Sequence, residues 1–65
     1  MEGTVTEFDE PRGLGTVTAE GGEAYPFHCT QIADGSRTIE VGAAVRFDVG
    51  PGLPGRWEAR SIAPI

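Results

Sequence analysis

Glycine and proline place the strongest limit on what this chain can fold into. Ten glycines and five prolines are spread over 65 residues, so they divide the chain into short runs. No run keeps the helical spacing of apolar residues over two turns, and several runs are rich in Val, Thr, Phe and Tyr, which favour strands. The spacing of glycine and proline, with strand-forming residues between them, therefore predicts an all-β fold.

Five of the runs are predicted strands. Alternation places Val17 inward and places Tyr25 and Phe27 together on one face of the third strand. Pro26 cannot donate a ladder hydrogen bond, so we expect that strand to be locally unpaired there, at an edge or a bulge. Three strands followed by two more after a longer connection predict a Greek-key barrel in one domain, residues 1–65. The predicted strands are residues 3–8, 14–19, 24–28, 43–49 and 57–62.

The charge balance argues against strong electrostatic attraction to phosphate. The net charge is −5, and all five cations are arginines. Non-specific binding to nucleic acid is driven by cations that displace counterions, so an acidic chain gains little from this effect. We interpret the negative charge as mainly solubilising.

Cysteine and histidine are too few to hold a disulfide or a zinc ion. Cys29 is the only cysteine and His28 the only histidine, so we predict no disulfide, no metal site and no cofactor. A lone thiol suits a reducing compartment, and no apolar run approaches the roughly 20 residues of a membrane span. We therefore expect a cytoplasmic protein that contacts no membrane and takes no small-molecule substrate.

The order of the motifs resembles the bacterial cold-shock protein family. The opening MEGTV is similar to that family's Met-x-Gly-x-Val start, and RGLGTV and AYPFHCTQI stand where the family carries its two ribonucleoprotein motifs. VGAAVRFDV resembles the family's fourth strand, and GLPGRWEARSI resembles its ending. The similarity runs nearly end to end. It implies the cold-shock domain, a five-stranded OB-type barrel whose members bind single-stranded RNA or DNA.

The same resemblance implies a binding surface, although most of the aromatic residues are replaced. Members of the family stack bases on aromatic side chains of the first three strands. Here Glu7 stands in place of an exposed Trp, Leu14 and Thr16 replace two phenylalanines, and Pro26 replaces a third. The implied nucleic-acid-binding residues are Phe8, Arg12, Leu14, Thr16, Pro26 and His28.

Two functions are compatible with such a surface. Base–aromatic stacking contributes about 1–3 kcal/mol per base, and a micromolar complex has only about 8 kcal/mol in all. Loss of several aromatics therefore predicts weak binding of single-stranded RNA or DNA, with little sequence preference. The alternative is a repurposed barrel that docks a protein partner on the same face, built from Glu7, Leu14, Thr16, Pro26 and Cys29.

The residues that the resemblance retains also have simpler interpretations. Phe8 would pack on the barrel instead of stacking on a base, and His28 would be an ordinary surface histidine. Arg12 would be a turn residue that pairs with Asp9 or Glu10, and exposed pairs of this kind contribute little.

No catalytic site is predicted. His28 and Cys29 are adjacent, and neighbouring strand residues point to opposite faces, so a Cys–His pair would require the strand to end there. Gly13-Leu14-Gly15 is too short for a phosphate-cradling loop and precedes a strand, whereas such loops open a helix. We expect a binding protein and not an enzyme.

Overall fold

The computed structural model describes residues 1–52 and 55–65, and in these residues it contains five strands and one short 3-10 helix, Cys29–Gln31. No helix within these two ranges is long and apolar enough to cross a membrane. The bounds of the second and third strands agree with the prediction. The first and fifth strands extend further, and the fourth begins one residue later than predicted and extends two residues further. The strands are β1 (Glu2–Asp9), β2 (Leu14–Ala19), β3 (Ala24–His28), β4 (Ala44–Pro51) and β5 (Trp57–Pro64).

The strands form one antiparallel sheet in the order β3-β2-β1-β4-β5. The strands at the two ends of this order, β3 and β5, pack side by side and close the sheet into a barrel. Ile32 forms a parallel bridge to Ile62, and the Ala33 N–H donates to the Ile62 carbonyl over 2.7 Å, which ties the segment after β3 to β5. The predicted all-β, five-stranded OB-type barrel is confirmed.

Pro26 lies on an edge strand of the hydrogen-bonded order, as predicted, and causes no bulge. The β2–β3 register is regular, with Pro26 opposite Thr16. The Cys29 N–H donates to the Gly13 carbonyl, which makes Cys29 and Gly13 a hydrogen-bonded pair. Because such pairs alternate along an antiparallel ladder, Pro26 falls in a non-hydrogen-bonded pair and its missing N–H leaves the ladder intact.

The core is built from the inward side chains of alternating strand positions. As predicted, Val17 is buried, and Tyr25 and Phe27 share the inner face of β3, with Tyr25 half-buried. Phe47 on β4 and Ile62 on β5 are among the largest fully buried side chains. The buried apolar residues are Val5, Val17, Ala19, Phe27, Ile32, Val45, Phe47, Ala59 and Ile62.

A bulge in β1 determines which of its side chains face inward. Val5 pairs with Val17, but the next paired position is Glu7 with Thr16, so Thr6 is the extra residue. Strict alternation from Val5 would turn Glu7 inward. Because the bulge shifts the phase by one residue, Glu7 faces outward and Phe8 turns toward the core.

Gly15 allows two aromatic rings to meet above the sheet. It lies between Phe8 on β1 and Phe27 on β3 in the same cross-strand row. Because Gly15 has no side chain, the two rings stack with centroids 6.0 Å apart and planes inclined by 6°. A Cβ added at Gly15 would lie 2.5 Å from the Phe27 ring and 2.7 Å from the Glu7 carbonyl oxygen.

We expect Gly15→Ala to lower the free energy of unfolding by about 1–3 kcal/mol, because the Phe27 ring or the β1 backbone must move. Urea unfolding followed by circular dichroism measures this loss. Gly21→Ala in the β2–β3 turn is the matched control, since its Cβ would meet only the flexible end of Glu23, at 3.1 Å. Equal stability of the two variants would contradict the packing described for Gly15.

Candidate functional site

Two cross-strand rows of side chains form the outer surface of β1, β2 and β3. Residues directly opposite each other in a sheet share a face, so the pairings place each row together on the side away from the core. Leu14 is 48% exposed, Pro26 and His28 are exposed, and Thr16 is half-buried. We call this surface the outer face; its rows are Glu7, Thr16, Pro26 and Asp9, Leu14, His28.

The outer face brings together four of the six residues that the sequence singles out, namely Leu14, Thr16, Pro26 and His28. Phe8 belongs to a different row, because the β1 bulge turns it toward Phe27. It is half-buried and packs against the core, in agreement with the simpler interpretation of its role.

An open cavity beside the outer face still reaches part of Phe8. The cavity has a volume of about 440 Å³. Its lining combines a partly exposed aromatic ring, a cation, apolar side chains and carboxylates. The lining residues are Glu7, Phe8, Asp9, Arg12, Leu14, Gly15 and Thr16.

Arg12 stands in the turn between β1 and β2, at the rim of this cavity. Its Nε lies 3.7 Å from the Asp9 carboxylate, which confirms one of the two pairings considered for it. The Arg12 side chain is 77% exposed, and an ion pair this open to water contributes little to stability. The guanidinium is therefore free to exchange Asp9 for another anion.

His28 closes β3 and caps the 3-10 helix that follows. Its Nδ1 accepts a hydrogen bond from the Thr30 backbone N–H at 3.3 Å and lies 3.0 Å from the Thr30 hydroxyl. Because a backbone N–H can only donate, Nδ1 is the acceptor and the neutral ring carries its proton on Nε2. The cap fixes the orientation of an imidazole whose exposed surface belongs to the outer face.

If the strand continued, the side chains of His28 and Cys29 would point to opposite faces. They lie closer together than that because β3 ends at His28. The Cys29 Sγ is 3.9 Å from His28 Nδ1. That nitrogen already accepts from Thr30, so it is not placed to remove the thiol proton. The sulfur instead fills the space above Gly13, where an added Cβ would be 2.7 Å from it.

A further cation, on β5, has structural partners of its own. Arg60 donates to the Pro51 carbonyl and lies 3.3 Å from the Glu58 carboxylate. It covers the backbone of Gly50 and does not reach the outer face. Among residues 1–52 and 55–65, no group of three His, Cys, Asp or Glu side chains is placed to hold a metal ion.

The comparisons with known proteins agree with this arrangement. No protein-family model matches the chain. It is 36% identical over 66 residues to the cold shock-like protein CspD of Escherichia coli strain K12, an alignment that covers 98% of this chain and 88% of that protein. It is also 36% identical over 65 residues to the cold shock-like protein CspA of Stigmatella aurantiaca, which covers 97% of this chain and 94% of the relative.

A third relative extends the same pattern to another genus. The cold shock-like protein CspD of Vibrio cholerae is 34% identical over 65 residues, with 97% of this chain and 84% of that protein covered. A five-stranded OB-type barrel and near full-length similarity at this level define a cold-shock domain. The chain belongs to the cold-shock protein family.

Trp57 lies at the start of β5 and is 60% exposed, although the sequence pattern assigns it no functional role. Trp57 and Arg56 line an open cavity next to Pro26, at the border of the outer face. A large apolar residue that follows a glycine- and proline-rich loop is the signal that could have identified it. The adjacency of β5 to β3, which brings Trp57 to this border, depends on barrel closure.

Tyr25 also lines that cavity, and its phenol is coupled to an acidic neighbour. The Tyr25 hydroxyl donates to the Glu23 carboxylate at 3.0 Å. This hydrogen bond raises the pKa of Tyr25 above its ordinary value of 10.0, and burial and the Glu23 charge act in the same direction. The stabilisation is therefore present below pH 10 and is lost as the pH rises through the raised pKa.

Glu23→Gln should lower the pKa of Tyr25 toward its ordinary value, because the amide neither carries charge nor accepts as strongly from the phenol. The chain has a single tyrosine, so the ultraviolet absorbance of the tyrosinate measures this pKa directly. Glu20→Gln, in the same turn, is the control and should leave the titration unchanged. An identical pKa in the Glu23→Gln variant would contradict the coupling.

Proposed function

We propose that this protein binds single-stranded RNA or DNA on the outer face, weakly and with little sequence preference. The observation that carries the proposal is the exposed cluster of Leu14, Pro26 and His28 across two strands of a cold-shock barrel. These side chains offer apolar and imidazole surfaces to nucleobases, and Arg12 at the rim offers a cation to phosphate. Binding of this kind needs no cofactor and no catalytic step.

The chemistry of the outer face explains why we expect weak binding. Leu14 and Pro26 provide apolar contact but no aromatic ring. Each position therefore lacks the base stacking that contributes about 1–3 kcal/mol per base to binding. Glu7 and Asp9 place carboxylates in the two rows, where they repel phosphate. Arg12 is the cation at the adjoining cavity, and its guanidinium already lies near Asp9.

A protein partner is the second candidate for the same face. Its support is the combination of apolar Leu14 and Pro26 with acidic Glu7 and Asp9 in adjacent rows. A partner with a basic and apolar surface would complement this arrangement. The two candidates differ in one measurable property, which is affinity for an isolated oligonucleotide.

Fluorescence anisotropy of a labelled oligothymidine, titrated with the protein at low salt, tests the first candidate. We expect a dissociation constant between about 10 μM and 1 mM, equivalent to about −7 to −4 kcal/mol. Each cation that contacts a phosphate should contribute only about −0.7 to the slope of log affinity against log salt, so Arg12 by itself gives a shallow salt dependence. No binding at any salt concentration would overturn the proposal and favour the protein partner.

His28→Asn separates the binding role of the imidazole from its capping role. Asparagine keeps an oxygen acceptor at the cap, so we expect stability close to that of the wild type. The loss of the ring should weaken oligothymidine binding by about five-fold or more. His28→Ala removes both ring and cap, and comparing the unfolding of the two variants isolates the cap. Unchanged affinity in His28→Asn would remove His28 from the site.

Leu14→Phe and Pro26→Phe should each tighten binding by about five-fold or more, because each adds an exposed ring on which a base can stack. A gain of affinity cannot arise from partial unfolding, so the result is independent of stability. Val41→Phe is the matched control, since Val41 is 61% exposed but lies outside the outer face and should give no gain. Equal affinities for all three variants would contradict the placement of the site.

A further inference from the structure

Trp57 is a large aromatic side chain that remains exposed to solvent in the folded protein. It begins β5 opposite Pro51 and is 60% exposed. Alternation places it on the same side of β5 as the buried Ala59, beyond the end of the packed core. Because β5 lies beside β3, the indole lines an open cavity of about 480 Å³ together with Tyr25, Pro26 and Arg56.

A second cavity connects this position to the outer face. It has a volume of about 260 Å³ and lies between the β2–β3 surface and β5. Leu14, Pro26 and His28 line one side, and Arg56 and Glu58 line the other. Pro26 and Arg56 belong to both cavities, so a continuous surface leads from the outer face across Pro26 to Trp57.

Arg56 is the cation along this surface. The ion pairs found in residues 1–52 and 55–65 involve Arg12, Arg46 and Arg60, so no described carboxylate neutralises Arg56. The two carboxylates that line the cavities have partners of their own. Glu58 is paired with Arg60, and Glu23 accepts the hydrogen bond from Tyr25.

We propose that Trp57 and Arg56 form an additional subsite for single-stranded nucleic acid, in which a base stacks on the indole and its phosphate binds the guanidinium. This inference rests on the proposed function and specifies the path of the strand, from Leu14 and His28 across Pro26 to β5. Stacking platforms combined with cations recognise single strands without regard to sequence. The subsite supplies at the β3–β5 border a ring of the kind that the β1–β3 surface lacks.

The indole itself reports on occupation of this subsite, because Trp57 is the only tryptophan in the chain. We expect unlabelled oligothymidine to quench the Trp57 fluorescence to saturation. The midpoint should agree with the dissociation constant that anisotropy gives for the same oligonucleotide at the same salt concentration.

Variants separate stacking from general apolar contact. Trp57→Leu keeps an apolar side chain without a ring and should weaken oligothymidine binding by about five-fold or more, whereas Trp57→Phe should retain most of the affinity. Arg56→Gln should weaken binding and reduce the salt slope by about 0.7. Arg46→Gln on β4 is its matched control and should change neither quantity. Circular dichroism of each variant verifies folding.

The outcomes distinguish this subsite from the function on which it rests. If anisotropy shows binding while Trp57 fluorescence is unchanged and Trp57→Leu binds like the wild type, the subsite is wrong and the proposed function stands. If Trp57→Leu and Trp57→Phe weaken binding equally, stacking on the indole is likewise excluded. Absence of binding by anisotropy overturns both proposals.

Discussion

The stacked pair of Phe8 and Phe27 across Gly15 is the contact on which the rest of the barrel surface depends. It exists because the bulge at Thr6 shifts the phase of β1 and because Gly15 leaves room for both rings. The same shift turns Glu7 outward. One backbone irregularity therefore completes the core with an aromatic pair and places a carboxylate in the surface row of Thr16 and Pro26.

The outer face combines a fixed backbone alignment with a mixture of apolar, polar and acidic side chains. Cross-strand pairing aligns Leu14 with His28 and Thr16 with Pro26, so the positions are close together whatever side chains occupy them. Backbone hydrogen bonds set this alignment, and the side chains set the strength of contact with a ligand. The barrel of the cold-shock family can therefore be kept while the side chains on this face differ.

The border between β3 and β5 extends the candidate surface beyond the first three strands. Pro26 belongs both to the outer face and to the cavities that lead to Arg56 and Trp57. Its position in a non-hydrogen-bonded pair lets an edge strand carry a proline without losing a ladder bond. Pro26 therefore presents an apolar ring at this edge, and the exposed indole extends the accessible surface beyond it.

Most of the fold and part of the site were accessible from the sequence. Glycine and proline spacing with period-2 alternation located five strands, and the inward position of Val17 and the shared face of Tyr25 and Phe27 followed from the same pattern. The resemblance to the cold-shock family indicated Leu14, Thr16, Pro26 and His28, and pairing along β2 and β3 places these residues side by side. These features are local, because strand period and short turns determine which neighbouring residues share a face.

The orientation of Phe8 and the position of Trp57 were decided only by the tertiary structure, whereas the His28 cap is a contact between residues two apart that strand alternation did not indicate. The residue types of β1 do not indicate the bulge. Alternation alone therefore assigns the residues of β1 after Thr6 to the wrong face. Trp57 meets Pro26 because β5 closes the barrel against β3, a contact between segments about 30 residues apart. The sequence alone determined the strands and their local pairing. Which side chains share a surface was determined by barrel closure, which brings together segments distant along the chain, and by the bulge, which sets the phase of β1 against β2.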